Sequence, residues 1–555
     1  MQKEKSEGPT EKINLDVILV KEIGQFGKYQ LKNVVLSAIF CVFMGWAASE
    51  YFFTTARITT RCLIPECESS DAIEFSPPWL TNAVPVTETT FDNCQRYASY
   101  VNASYVNQTS IEVCPKDLFD RRKVIPCEEF VYENTHSVVY DVWPSWALDL
   151  YGLACDEWRR TFIGSIRNIG NFIALPITGY ISDRWGRRVL LAFSAMIAAV
   201  VGVTRYWADT YVGFFISQVA ESTLGSGGFS CVYILTMEMV GPKYRVAAGA
   251  VMNSSYAIGQ VTLGLIVWAI PNWRTLTLVI YTPQLLTITY FWLISESVRW
   301  YLSKGRYSDA KGVLQNAAKL NKTSISDKSL NALRRNVEEE EKKAKRDSET
   351  WLITQVIRNK QILIRALITP IFWITMTLIY YGLSLNAVNI SGNMYMNYIA
   401  VSAVEIPAYW TSVLLIERIG RKYVLMVAYW VCAACQIAYI FMPEGLFGIS
   451  LAVYLIGKYC ISMVITALYV YTAELYPTKY RHSLFAFSSM IGRLGSIAAP
   501  LTPAMGAAVW EQLPFALFAG FAIISGCLVL LTPETLGTKL PDTMEEANSL
   551  GIKNN

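Results

Sequence analysis

Apolar residues along the 555-residue chain gather into windows about as long as a bilayer is thick, roughly 20 residues at a helical rise. They lie near 34–53, 161–182, 188–206, 211–235, 246–269 and 275–294, and again near 362–383, 394–416, 423–442, 447–471, 482–509 and 513–531. The pattern predicts an all-α polytopic membrane protein with twelve transmembrane helices. The first window begins after a polar, lysine-bearing start, too late and too long for a cleavable leader.

Two polar connections break the series, and their compositions differ. Between Thr54 and Glu157 there are 16 Asp and Glu against 7 Arg and Lys, and six of the twelve cysteines: Cys62, Cys67, Cys94, Cys114, Cys127 and Cys155. That cysteine density predicts an oxidising exterior and up to three disulfides, with the connectivity open. The sequons at Asn102 and Asn107 fall in the same loop, and a third at Asn389 follows the seventh window, so all three are candidate glycosylation sites. The connection from Ser295 to Lys360 is rich in Lys and Arg, which places it in the cytoplasm together with both termini. Sequons at Asn253, inside a span, and at Asn321, in the basic connection, are expected to stay unused.

Three pairs of motifs recur at nearly one offset. Asp183-Arg-Trp-Gly-Arg-Arg188 returns as Glu417-Arg-Ile-Gly-Arg-Lys422, Glu238-Met-Val-Gly-Pro-Lys-Tyr-Arg245 as Glu474-Leu-Tyr-Pro-Thr-Lys-Tyr-Arg481, and Ser295-Glu-Ser297 as Pro533-Glu-Thr535. Repetition at this scale predicts two homologous six-helix halves, an architecture of transporters with the substrate site between the halves. The resulting division is a cytoplasmic start (1–33), a first bundle with the outer loop 54–157 (34–294), a cytoplasmic linker (295–361), a second bundle (362–531) and a cytoplasmic tail (532–555). Acids embedded in basic loops point to ion pairs that fasten helix ends and must break as the halves rock, so Asp183, Arg184, Arg187, Glu238, Arg245, Glu417, Arg421, Glu474 and Arg481 are gating candidates.

Composition narrows the chemistry. Hydrophobic residues make up 53% of the chain and charged ones 17%, with 48 basic and 44 acidic residues, so no strong field attracts nucleic acid. Two histidines, and no spacing of nucleophile with base or of metal ligands, argue against an enzyme and against a bound metal or cofactor. An ionisable residue inside a span is costly and therefore a functional candidate. Glu50 and Arg167, in the outer thirds of the first and second spans, form a possible outer pair, either gating or structural. Glu405, Lys458 and Arg493 lie deep in the second half, either as substrate ligands or as a buried ion-pair network. Phe229, Tyr233, Trp373, Tyr380, Tyr381 and Tyr459 are aromatic candidates for caging a quaternary ammonium. Gly225-Ser-Gly-Gly228 lacks the ending of a phosphate loop and reads as close helix packing.

Gly179-Tyr-Ile-Ser-Asp-Arg-Trp-Gly-Arg-Arg188 and Glu296-Ser-Val-Arg-Trp-Tyr-Leu302 resemble signatures of the major facilitator superfamily. Tyr380-Tyr-Gly-Leu-Ser-Leu385, Val404-Glu-Ile-Pro-Ala-Tyr409, Gly457-Lys-Tyr459, Val470-Tyr-Thr-Ala-Glu-Leu-Tyr-Pro-Thr478 and Gly492-Arg-Leu-Gly-Ser-Ile497, with the Cys-rich loop, resemble solute carrier family 22, most closely its organic cation/carnitine branch. The chain departs from that pattern at Ser295 and Val298, where the family has prolines, in the charges Glu50 and Arg167, and in a first outer loop with six cysteines. The resemblance implies a major facilitator fold, alternating access at a plasma membrane and possible sodium coupling. It associates the eighth-span carboxylate, Glu405, with cationic groups and the eleventh-span arginine, Arg493, with anionic or zwitterionic substrates. The expected cargo is a small zwitterion such as carnitine, a betaine or an amino-acid derivative; a polyspecific organic cation facilitator is the alternative, and a sugar or anion carrier or a receptor with a carrier core is less favoured.

Overall fold

The computed structural model describes residues 15–68, 74–87, 90–100, 114–139, 155–225, 227–327, 329–335, 352–390, 392–443, 445–477, 480–538, 541 and 544–549. Nine of its helices are long and apolar enough to cross a membrane: Lys28–Thr54, Arg187–Trp207, Pro242–Ala269, Trp273–Leu293, Lys360–Asn389, Met394–Arg418, Arg421–Ile440, Phe447–Leu475 and Ser483–Ala508. Three further segments complete the twelve windows. Glu157–Trp185 carries many charges, Tyr211–Gly225 and Gly227–Met239 flank Ser226, and Leu513–Val529 is short. In chain order these are spans 1 to 12, with Glu157–Trp185 as span 2 and the paired segments as span 4. The sequons at Asn102 and Asn107 and the linker charges Lys342 to Arg346 lie outside the described residues.

Polar caps start several spans where the sequence leaves the loop. Asp156 accepts the Arg159 backbone N–H at 2.9 Å, Asn272 those of Arg274 and Thr275, and Asn393 those of Tyr395 and Met396. Packing then follows small residues. A Cβ on Gly45 would sit 2.5 Å from the Tyr256 carbonyl and one on Gly259 2.4 Å from that of Val42, so spans 1 and 5 cross with their backbones almost touching. Gly225, Gly227 and Gly228 meet Ala198, Thr178 and Phe40, the close packing expected of that run. Large apolar side chains such as Leu286, Trp292, Leu367 and Leu414 stay exposed on the outer faces of the bundle, where lipid is their solvent.

The Cys-rich loop folds as three two-stranded antiparallel sheets, Thr60–Cys62 with Phe130–Tyr132, Val86–Thr87 with Thr90–Phe91, and Gln95–Ser99 with Phe119–Pro126. Disulfides join Cys62 to Cys127, Cys67 to Cys114 and Cys94 to Cys155, which settles the open connectivity. The Arg61 side chain is wholly buried in this loop, ion-paired with Glu68 and donating to the carbonyls of Phe75 and Cys62. The loop is anchored to the spans by the Trp273 N–H to the His136 carbonyl at 3.0 Å and by Val138 N–H to the Thr54 carbonyl at 2.9 Å.

At the loop side the two halves touch. Phe53 of span 1 meets Tyr398 of span 8 edge-on at 4.8 Å, and Trp268 of span 5 stacks on Tyr395 at 6.4 Å. The Cβ position of Gly164 in span 2 lies 2.8 Å from Pro500 of span 11.

At the opposite end, the start of the chain straps the linker helices: Leu15, Ile18, Leu19 and Ile23 pack on Trp300, Leu314 and Ala317. Asn321 is spent on this contact, accepting from Tyr29 N–H at 2.9 Å and donating to the Ile23 carbonyl at 3.1 Å.

The loop's small apolar core of Ile64, Leu80, Val84 and Phe119 includes the cysteines of two disulfides, Cys62, Cys67, Cys114 and Cys127, so the bridges and the core order the loop together. Replacing Cys62 and Cys127 with Ser is expected to cost the loop roughly 2–5 kcal/mol and to lower mature protein at the cell surface, measured by surface labelling; unchanged surface levels would contradict this.

Candidate functional site

The repeated loops form one device built twice. In each, a glycine with positive φ, Gly186 at 104° and Gly420 at 111°, turns the chain so that the next helix presents its free N–H groups to a carboxylate. Glu296 accepts from the N–H groups of Arg187 at 3.1 Å and Arg188 at 3.0 Å; Glu534 accepts from Arg421 and Lys422, both at 3.0 Å. A Cβ on either glycine would fall 2.3 or 2.5 Å from that carboxylate, so no other residue fits. Burial raises the proton affinity of Glu296 against the opposing pull of these N–H donors. The sequence marked both acids as repeat positions but not as the ones that clamp the loops; an acid at the same place in each half was the available signal.

The gating candidates distribute unevenly around this clamp. Arg187 lies 3.2 Å from the exposed Asp183 and 3.8 Å from Glu238, while Arg421 pairs with Glu474 at 3.1 Å. Each arginine also donates to the carbonyl five residues earlier, Ser182 and Ile416. All of these ties lie within one half. Arg245 does not join them: it pairs with Asp16 at 2.5 Å, which also holds Arg299 at 2.6 Å. Arg184 rests on Tyr180 and Trp185. Glu417 is exposed and has no basic group within 4 Å among the described residues, and Arg481 opens the helix Arg481–Ala498.

Between the halves lies a cavity of about 150 Å³, walled by spans 1, 2, 4 and 5 of one half and spans 7, 8, 10 and 11 of the other. The walls correspond under the sequence repeat. Phe53, which meets Tyr398 of the other half, follows Ala48 of its wall by about one and a half turns. Phe229, Tyr233, Trp373, Tyr380 and Tyr381 line it, joined by Tyr256, Tyr409 and Tyr469, whose place on the wall no motif in the sequence marks. Trp373 meets Tyr469 at 4.8 Å and Phe229 meets Tyr256 at 5.4 Å, so the rings brace one another.

Three ionisable groups reach this wall: Arg167, Glu221 and Arg493. Arg493 has no carboxylate within 4 Å among the described residues. Glu405 and Lys458 instead pair with each other at 2.9 Å behind the wall. Tyr380 and Tyr409, which do line the cavity, donate their hydroxyls to Glu405 at 2.8 and 2.9 Å. Lys458 donates to Ser384 at 2.6 Å and sits 3.5 Å over the Tyr380 ring. Of the two expected roles, the geometry gives Glu405 and Lys458 the buried ion pair and not a place on the wall: two wholly buried opposite charges compensate each other before any ligand arrives. Tyr459 also turns away, donating to Thr411 at 2.7 Å. Asn389 is exposed at the loop-side end of span 7.

Glu50 and Arg167 do not pair. Glu50 binds Arg205, Arg167 binds Glu221, and Gln218 links the two by accepting from Arg167 at 2.7 Å and donating to Glu50 at 3.0 Å. Arg205 lies 3.6 Å from Glu221, closing a neutral network of two acids and two bases. Arg205 and Glu221 satisfied the same rule that singled out Glu50, an ionisable side chain in an apolar span, but Arg205 sits at a span end, where it reads as interfacial.

This arrangement is that of a major facilitator transporter: two six-helix halves, a central cavity and a clamped loop in each half. A profile of the family described as "Sugar (and other) transporter" matches residues 99–547. The chain is 29% identical over 544 residues to the organic cation transporter protein of Drosophila melanogaster, covering 96% of this chain and 95% of that one. It is 32% identical over 416 residues to solute carrier family 22 member 2 of Oryctolagus cuniculus, covering 75% and 74%. Among solved structures, the proton:xylose symporter XylE bound to 6-bromo-6-deoxy-D-glucose aligns with a TM-score of 0.57 at 13% identity, covering 93% of this chain and 98% of that one. The chain belongs to the sugar (and other) transporter family, in its solute carrier family 22 branch, and is a polytopic membrane transporter rather than an enzyme.

Exchanging charges discriminates the pairings. Glu50→Arg with Arg205→Glu is expected to restore surface expression lost in either single variant, because the buried pair is re-formed, whereas Glu50→Arg with Arg167→Glu is not. Rescue by the second exchange and not the first would contradict the network.

Proposed function

We propose that this transporter carries small organic cations and zwitterions, carnitine-like compounds, betaines or amino-acid derivatives, across the plasma membrane by alternating access, with its loop side outside and both termini in the cytoplasm. The observation that carries the reading is Arg493, a guanidinium on the wall of a cavity rich in aromatic rings, with no carboxylate within 4 Å among the described residues. A guanidinium suits bidentate recognition of a carboxylate, and aromatic faces suit a quaternary ammonium. The relatives named organic cation transporters support a cationic group in the cargo. Sodium would couple through the gradient rather than as a resident cofactor. The second reading, a facilitator of organic cations alone, follows the relatives' names and leaves Arg493 a structural role.

Uptake of labelled carnitine and labelled tetraethylammonium by cells expressing the full chain, with and without external sodium, tests this. Saturable carnitine uptake is expected, and a fall on sodium removal would add coupling. Tetraethylammonium uptake without carnitine uptake would select the facilitator, and uptake of neither would overturn both readings.

A further inference from the structure

On the wall built by spans 1, 2, 4 and 5 stands a carboxylate with one oxygen unengaged. Glu221 is 3% exposed and lines the cavity, and its Oε2 is held by Arg167 with Arg205 at 3.6 Å. Its other oxygen, Oε1, accepts no hydrogen bond among the described residues. Glu405, the acid first expected to meet a cation, is in the opposite position. Lys458 and two tyrosine hydroxyls already occupy it, and it lies behind Tyr380 and Tyr409. A cation reaching Glu405 would have to displace an ammonium from a dry site, whereas one reaching Glu221 Oε1 meets a carboxylate held in place by Arg167.

The surrounding charges permit this. Arg205 is offset by Glu50, so the network as a whole adds no net positive charge to that wall. The Arg167 guanidinium is fixed by the Ala47 carbonyl at 2.6 Å and by Gln218 at 2.7 Å, which keeps it from swinging across the carboxylate.

We propose that Glu221, and not Glu405, receives the cationic group of the substrate, with Arg167 as the residue that positions it. The inference rests on the proposed reading that the cargo carries such a group. It deepens that reading. A zwitterion then bridges the halves, its cation on Glu221 of one and its carboxylate on Arg493 of the other, while a simple cation engages one half only.

The test compares carnitine with the analogue in which carbon replaces the quaternary nitrogen, so that trimethylammonium becomes a tert-butyl group of similar size. Each is measured as an inhibitor of labelled carnitine uptake. Wild type is expected to prefer the charged compound by about 10-fold or more, as befits a charge-assisted contact. Glu221→Gln is expected to lose most of that preference while the analogue inhibits as before, and Glu221→Asp to retain part of it. Glu405→Gln is expected to change both constants together. Where Glu221→Gln fails to reach the surface, Arg167→Met with Glu221→Gln removes both charges at once and is read in the same way. Equal weakening of both compounds in the Glu221 variants, or loss of preference in Glu405→Gln alone, would overturn the proposal. Absence of carnitine and tetraethylammonium uptake in wild type would instead remove the functional reading, and this inference with it.

Discussion

A charge taken into hydrocarbon must be compensated on the spot, at a cost commonly near 3 kcal/mol even on insertion scales. In this transporter that constraint separates the charges that are compensated within the protein from the one that is not. Glu405 and Lys458 cancel each other inside the second half, and Glu50, Arg205, Glu221 and Arg167 cancel as a set inside the first. Arg493 is left on the cavity wall with no carboxylate within 4 Å among the described residues, and the proposed reading assigns its compensation to the cargo.

The same rule operates at the linker-side ends of the helices in a different currency. There the uncompensated groups are backbone N–H donors at the starts of spans 3 and 9, and Glu296 and Glu534 supply the acceptors. The glycines before each helix let the carboxylate approach. The clamps and the ion pairs around them stay within their own halves, while Phe53 with Tyr398 and Trp268 with Tyr395 join the halves on the loop side and Tyr233 meets Tyr469 across the cavity at 6.0 Å. That division suits two bodies that rock about a site between them.

Much of this was legible in the sequence. Helices cover all twelve windows that hydropathy marks, nine of them long and apolar enough to cross a membrane among the described residues, because lipid demands long apolar helices and leaves a strong pattern. The two-fold repeat was readable from three motif pairs, and the six loop cysteines pair among themselves. Partnerships were not legible. Nothing in sequence spacing tells Glu50 to choose Arg205 over Arg167, since both arginines approach from other helices and the choice is made by helix rotation. Arg245 likewise reaches Asp16 at the start of the chain, a partner 229 residues away. Depth was equally hidden: Glu405, Lys458 and Tyr459 lie on the right helices, but their side chains face helix neighbours and not the cavity.

The central claim is that Arg493 awaits an anionic group brought by the substrate. The most direct measurement is the ratio of half-saturation concentrations for carnitine and for its carboxamide, which keeps the shape and removes the negative charge, in wild type and in Arg493→Leu. The account predicts that wild type favours carnitine by about 10-fold or more and that the variant handles the two alike, in line with the loss of a charge-assisted hydrogen bond. A variant that retains the wild-type preference would contradict it.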